Sequence, residues 1–111
     1  MQPEEFSISR TSLAECDLIV LRGELDGETA PEVTEELAGV AAGGRAVVID
    51  LSELSFIDSG GLHALMRQSQ DGRKLCLVCP EGNVSRVLSI VRFERVMPVY
   101  GRLEDALAAL R

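Results

Sequence analysis

The sequence predicts an α/β domain in which a mostly parallel central sheet, with one antiparallel strand at its N-terminus, carries about four helices. Three observations lead there. Short apolar runs with strand character alternate with segments of helical spacing, and the central runs lack polar alternation. A chain of 111 residues with 46% apolar content can bury roughly two-thirds of its unfolded surface in one core and has no room for a second, so residues 1–111 are expected to form a single domain.

The first strand is expected at Phe6 to Ile8 and the second at Leu18 to Leu21, joined by a short connection centred on Ser12 that makes the pair antiparallel. A helix follows over Ala30 to Ala41, with Val33, Leu37, Val40 and Ala41 on one face. Thr29, with Glu32 three residues on, reads as its capping box, and Gly43-Gly44 ends it. In the third strand, Ala46 to Leu51, the run Val47-Val48-Ile49 has the character of a strand covered on both faces. A second helix from about Ser59 to Ser69 turns Leu62, Leu65 and Met66 inward and stops near Asp71-Gly72. Leu75 to Cys79 is the fourth strand, and Val84, Val87, Leu88 and Val91 make the stripe of a third helix. Met97 to Tyr100 is the last strand, where Pro98 demands an edge or a strand start. A fourth helix, Leu103 to Leu110, has Glu104 and Asp105 well placed in its first turn. Strands joined through helices must be parallel, with right-handed crossovers.

Charge and composition exclude several functions. Against 18 Asp plus Glu stand 11 Lys plus Arg, a formal net charge of −7, so a phosphate backbone is repelled and nucleic acid is not an expected partner. The N-terminus, Met1-Gln2-Pro3-Glu4-Glu5, is acidic, and the longest apolar run, Leu75 to Cys79, is far too short to span a bilayer. A soluble, cytoplasmic protein with no membrane partner is the expectation. Cys16, Cys76 and Cys79 make an odd count that suits reduced packing residues. Cys76 and Cys79, three apart on a strand, should point to opposite faces and not share a metal. With neither a P-loop nor a metal-binding cluster, the chain is expected to need no cofactor.

In an open α/β sheet the loops leaving the carboxyl ends of the parallel strands carry the site. Here these are Gly23 to Thr29, Ser52 to Gly60 and Pro80 to Asn83. The second reads Asp50-Leu-Ser-Glu-Leu-Ser-Phe-Ile-Asp58-Ser59-Gly60-Gly61-Leu62 and enters a helix at Ser59. A serine there commonly serves only as the N-cap. Gly60 and Gly61, however, strip side chains from the first turn, which would let a kinase approach the hydroxyl. A phosphate on it would meet free N–H groups and the positive helix end, opposed by Asp58 next door.

The segment Asp58-Ser59-Gly60-Gly61-Leu62, preceded by Val47-Val48-Ile49-Asp50-Leu51-Ser52, resembles the signature of STAS domains, the anti-sigma factor antagonists. Gly23-Glu24-Leu25-Asp26 with Thr29-Ala30, and the stretch from Val87-Leu88 through Met97-Pro98-Val99-Tyr100 to Leu110, are similar too, so the likeness covers nearly the whole chain in order. It implies a bacterial partner-switching protein with no catalysis of its own. Unphosphorylated, such a protein binds an anti-sigma factor whose serine kinase activity then phosphorylates it, and a protein phosphatase resets it. By position, Ser59 matches the phosphoacceptor, Asp58 its acidic neighbour and Asp26 the acid of the adjacent loop. Gly60, Gly61 and His63 fall on the partner-binding or switch-supporting side of the motif. The chain departs from the pattern at Gly60, where a second Ser or Thr is frequent, at Arg92, where a Gly usually ends the third helix, and in a shorter helix after Ser59.

Simpler roles stand beside these. Asp50 reads as a loop cap, and Asp26, before Gly27, serves equally well as a turn residue or as part of the switch. His63, four residues after Ser59, invites a Ser-His nucleophile, but Ile57 replaces the first Gly of a nucleophile elbow and no orienting acid is evident, so a solvent-facing or partner-contacting role is expected. A receiver-like phosphoacceptor needs clustered carboxylates and a nearby Lys, whereas the sole lysine, Lys74, starts a strand at the opposite end. A constitutive interaction module, with Ser59 only a cap, is the remaining alternative.

Overall fold

The computed structural model describes residues 5–41, 43–71 and 74–111, and all structural statements concern these. The expected order of elements is observed. Strands β1 (Ser7–Ser12), β2 (Asp17–Leu25), β3 (Val47–Ile57), β4 (Leu75–Val78) and β5 (Val99–Tyr100) form one sheet in sequential order, antiparallel between β1 and β2 and parallel thereafter. Helices α1 (Ala30–Ala41), α2 (Ser59–Arg67), α3 (Asn83–Ile90) and α4 (Leu103–Ala109) follow β2, β3, β4 and β5.

Because successive parallel strands add in one direction with crossovers of one hand, the three connecting helices must share a face. They do: Val33 and Leu37 of α1, Leu65 of α2, and Val84 and Leu88 of α3 pack with Ile19, Ile49 and Leu77 of the sheet. Phe93, in a short 3₁₀ turn after α3, completes this core. The other face is covered by α4, where Ala106 joins Cys16, Val48, Cys76 and Val78. Central strands are thus apolar on both sides, which explains the unbroken Val47-Val48-Ile49 run. Cys76 and Cys79 lie in different cores, as strand geometry requires. Burial pushes both thiols up to about 11; the nearby Cys16 thiol adds to the effect on Cys76, and the Asp50 carboxylate to that on Cys79.

Several boundaries differ from expectation. The first strand runs to Ser12, whose hydroxyl donates to Asp17 at 3.0 Å, so the connection is Leu13 to Cys16. Arg45 braces that connection through Asp17 at 3.0 Å and the Leu13 carbonyl. Strand β3 does not end at Leu51 but reaches Ile57, and the expected loop from Ser52 to Gly60 contracts to Asp58 alone. Two irregularities in its pairing with β2 each insert an extra residue on β3, between Asp50 and Glu53 and between Leu54 and Phe56. They replace alternation with buried positions at Leu51, Leu54 and Ile57, three residues apart, a spacing that does not read as strand. In α2 the buried residues are Gly61, Ala64 and Leu65, while Met66 is 42% exposed. Val91 lies past the end of α3 and is exposed. Helix α2 passes into a 3₁₀ turn, Gln68–Asp71; Gly72, the other half of the expected Asp71-Gly72 stop, lies outside the described residues.

Candidate functional site

At the carboxyl ends of β2 and β3 the chain turns sharply into α1 and α2, and the two turns touch. The N–H of Asp58 donates to the Leu25 carbonyl at 3.2 Å, which ties the exit of β3 to that of β2. Asp58, in extended backbone, is the N-cap of α2: its carboxylate accepts the Gly61 N–H at 3.1 Å, and its carbonyl accepts the Leu62 N–H at 2.9 Å. Ser59 is therefore the first helical residue and not the cap. It is exposed, and its hydroxyl makes no hydrogen bond to a described residue. The N–H groups of Ser59 and Gly60, which have no intrahelical acceptor, are likewise without a described partner.

The two glycines serve a purpose other than the openness expected of them. A Cβ at Gly60 would lie 2.9 Å from the Gly27 Cα, and one at Gly61 would lie 2.7 Å from both the carbonyl oxygen and the Cγ of Leu25. Helix α2 starts directly against the backbone of the β2 exit, and only glycine admits that approach. Gly61 is buried and so presents no surface to a partner, whereas Gly60 is half-buried at the rim.

Asp26 is committed to the turn. Its Oδ1 accepts the N–H groups of Glu28 at 2.9 Å and Thr29 at 3.1 Å. The expected Thr29–Glu32 capping box is not the arrangement found: the Thr29 hydroxyl accepts the Asp26 N–H and donates to the Glu24 carbonyl, each at 3.0 Å. Asp26 takes the Thr29 N–H that the Glu32 side chain would accept in such a box. Asp50 accepts the Ser52 N–H at 2.8 Å, a local backbone bond of the kind expected of it. Three carboxylates, Asp26, Asp50 and Asp58, are thus each hydrogen-bonded to backbone N–H groups nearby, and Lys74 lies at the other end of the parallel strands. A magnesium-assisted phosphoacceptor site would need those carboxylates to converge instead.

From Ser59 an open groove of about 750 Å³ runs between α1 and α2. Ser59, His63 and Arg67 line it from α2, at a spacing of four residues, and Pro31, Thr34 and Glu35 line it from α1. Ser59 and His63 are brought together as helical spacing predicts. Arg67 was not among the sequence candidates, although the same spacing, carried one turn further, points to it. No helix among the described residues is long and apolar enough to cross a membrane.

Comparison with known proteins gives a consistent result. Residues 12–106 match the family model of the STAS domain. A Bordetella bronchiseptica protein named as an anti-sigma factor antagonist, BtrV, is 35% identical over 98 residues, covering 82% of this chain and 83% of its own. The crystal structure of an anti-sigma factor antagonist from Mycobacterium paratuberculosis superposes with a TM-score of 0.91 at 26% identity, covering 99% of this chain and 97% of that one. The Bacillus cell fate determinant SpoIIAA in its phosphorylated form shares the fold, with a TM-score of 0.67 at 19% identity over 96% of this chain and 100% of that one.

Proposed function

We propose that this chain, which belongs to the STAS-domain family, is an anti-sigma factor antagonist switched by phosphorylation of Ser59. Unmodified, it binds an anti-sigma factor that carries serine kinase activity; phosphorylated, it releases that partner, and a protein phosphatase restores the binding form. It acts in the bacterial cytoplasm as a regulator, without catalysis, cofactor, nucleic acid or membrane. The observation that carries this reading is the exposed Ser59 at the first position of α2, with its hydroxyl outside the capping bond that Asp58 makes. A serine engaged as a cap would have to break that bond to be modified; this one does not. The rival constitutive module takes Ser59 as only a cap, a role that Asp58 fills here.

The supporting residues have distinct parts. Asp58 holds the start of α2, Asp26 shapes the neighbouring turn, and Gly60 and Gly61 let the two backbones meet, so the hydroxyl is presented from a rigid corner. His63 borders the groove that begins at Ser59 and is offered to the partner. Phosphate adds about −1.5 to −2 charges at this corner, and an anion of that size inside an interface must be desolvated. The helix start tolerates it, because free N–H groups and the helix dipole favour an anion. Release then follows from charge and desolvation, without refolding.

The test is phosphate mapping after incubation with ATP and the partner kinase, with partner affinity and amide exchange measured for both forms. Modification at Ser59, affinity lost and protection retained are expected. Ser59→Ala should bind permanently and Ser59→Asp weakly. Phosphate confined to Ser52, Ser55 or Thr29, or equal affinities of the two forms, would overturn the proposal.

A further inference from the structure

We infer that phosphorylated Ser59 takes the imidazole of His63 as an intramolecular ligand, so that modification changes the charge of the groove at two positions; this rests on the phosphorylation reading above. Ser59 and His63 both line the groove from α2 and stand four residues apart, which places their Cβ atoms about 5–6 Å from each other. Side chains on a helix lean toward its N-terminus, so His63 leans toward Ser59. His63 is exposed and has no hydrogen bond or ion pair to a described residue. An anion four residues before a cation is the favourable order along a helix.

The other charges bordering the groove are Arg67, one turn beyond His63 on α2, and Glu35 across from it on α1. The two carry opposite charges. Asp58 and Asp26, in the adjoining turns, are engaged with backbone N–H groups. Phosphate adds to this balance a charge larger than either side chain carries, one helical turn from the imidazole. His63 then takes a proton from solvent at a pH where the unmodified chain leaves it neutral. A neutral imidazole that could hydrogen-bond a partner becomes a cation held to the chain's own phosphate. Partner release gains a pH dependence centred on His63, the sole histidine of the chain.

The sole histidine makes the test direct. Phosphoserine is installed at position 59 of the full chain by genetic encoding, which needs no kinase. The imidazole signals are then followed by NMR from pH 5 to 9 in both forms. The His63 midpoint should rise by about half a unit on phosphorylation at low ionic strength, and the rise should shrink in high salt. A protonated His63 favours the phosphate dianion, so His63→Gln should raise the second ionisation of the phosphate, read by phosphorus NMR. Coincident His63 titrations in the two forms, or a phosphate ionisation unchanged by His63→Gln, would overturn the inference. Failure of a kinase to label Ser59 would instead count against the phosphorylation reading, because the encoded phosphoserine bypasses it.

Discussion

Replacing Gly61 by Ala should destabilise the domain, although intrinsic helix propensity predicts the reverse. Alanine is favoured over glycine in a helix by about 1 kcal/mol. The added Cβ, however, would stand 2.7 Å from the Leu25 carbonyl oxygen, 2.7 Å from the Leu25 Cγ and 3.0 Å from the Ile57 Cγ1. Side-chain carbons can rotate away. The carbonyl oxygen belongs to the backbone of β2 and accepts the Asp58 N–H, so it stays. To reach ordinary contact the start of α2 must withdraw by about 0.7 Å, which stretches the Asp58–Leu25 bond at the corner that presents Ser59. Overpacking of this kind costs about 1–3 kcal/mol, leaving a net loss of up to about 2 kcal/mol after the propensity gain. For a domain of this size that lowers Tm by up to about 8 °C. The control is Gly39→Ala in α1, where a Cβ meets nothing within 4 Å and propensity alone operates, a gain of up to about 1 kcal/mol. Thermal unfolding followed by circular dichroism, with urea titration as a check, separates the two variants. If Gly61→Ala is as stable as Gly39→Ala, the close approach is not what requires glycine.

Other expectations test neighbouring parts of the argument. Asp58→Ala removes the acceptor of the Gly61 N–H and should cost about 1 kcal/mol in urea unfolding, whereas Ser59→Ala, at a position that caps nothing, should cost much less. Arg92 stands at φ 55°, ψ 49°, in the left-handed region after α3, and Arg92→Gly should stabilise the domain by about 0.5–1 kcal/mol, with an unchanged midpoint arguing that the left-handed residue is not strained. Cys76 and Cys79 ionise in the folded chain at about 11, against 9.0 for an unperturbed thiol. Between these values the unfolded chain releases thiol protons that the folded chain keeps, so stability present below about pH 9 is lost as pH rises toward 11. Unfolding free energy measured across that window should fall, and a Cys76→Ala, Cys79→Ala double variant should show a flatter profile. Both thiols should also react slowly with alkylating reagents at neutral pH until the chain unfolds.

By itself the sequence determined the class of fold, the order of its elements and the position of the serine at the start of the second helix. These are local properties: the helical stripe Val33, Leu37 and Val40 and the apolar run Val47 to Ile49 announce themselves by period, and Pro98 by what it cannot donate. Resemblance of Asp58-Ser59-Gly60-Gly61 to a known signature pointed to the family, which the family match then met. Tertiary structure decided the rest. The length of β3 was hidden because irregular pairing with β2 broke the period of two, and pairing is a property of two segments. The capping role passed from Ser59 to Asp58, and the box expected at Thr29 gave way to Asp26, because each depends on which backbone donor a turn delivers to which oxygen. Gly60 and Gly61 looked like an open path to a hydroxyl and proved to be a contact between two backbones. Arg67 joined the site only when α1 supplied the opposite wall of the groove. A pattern along one chain reports which face an element buries; what meets that face, and how closely, exists only once distant segments have come together.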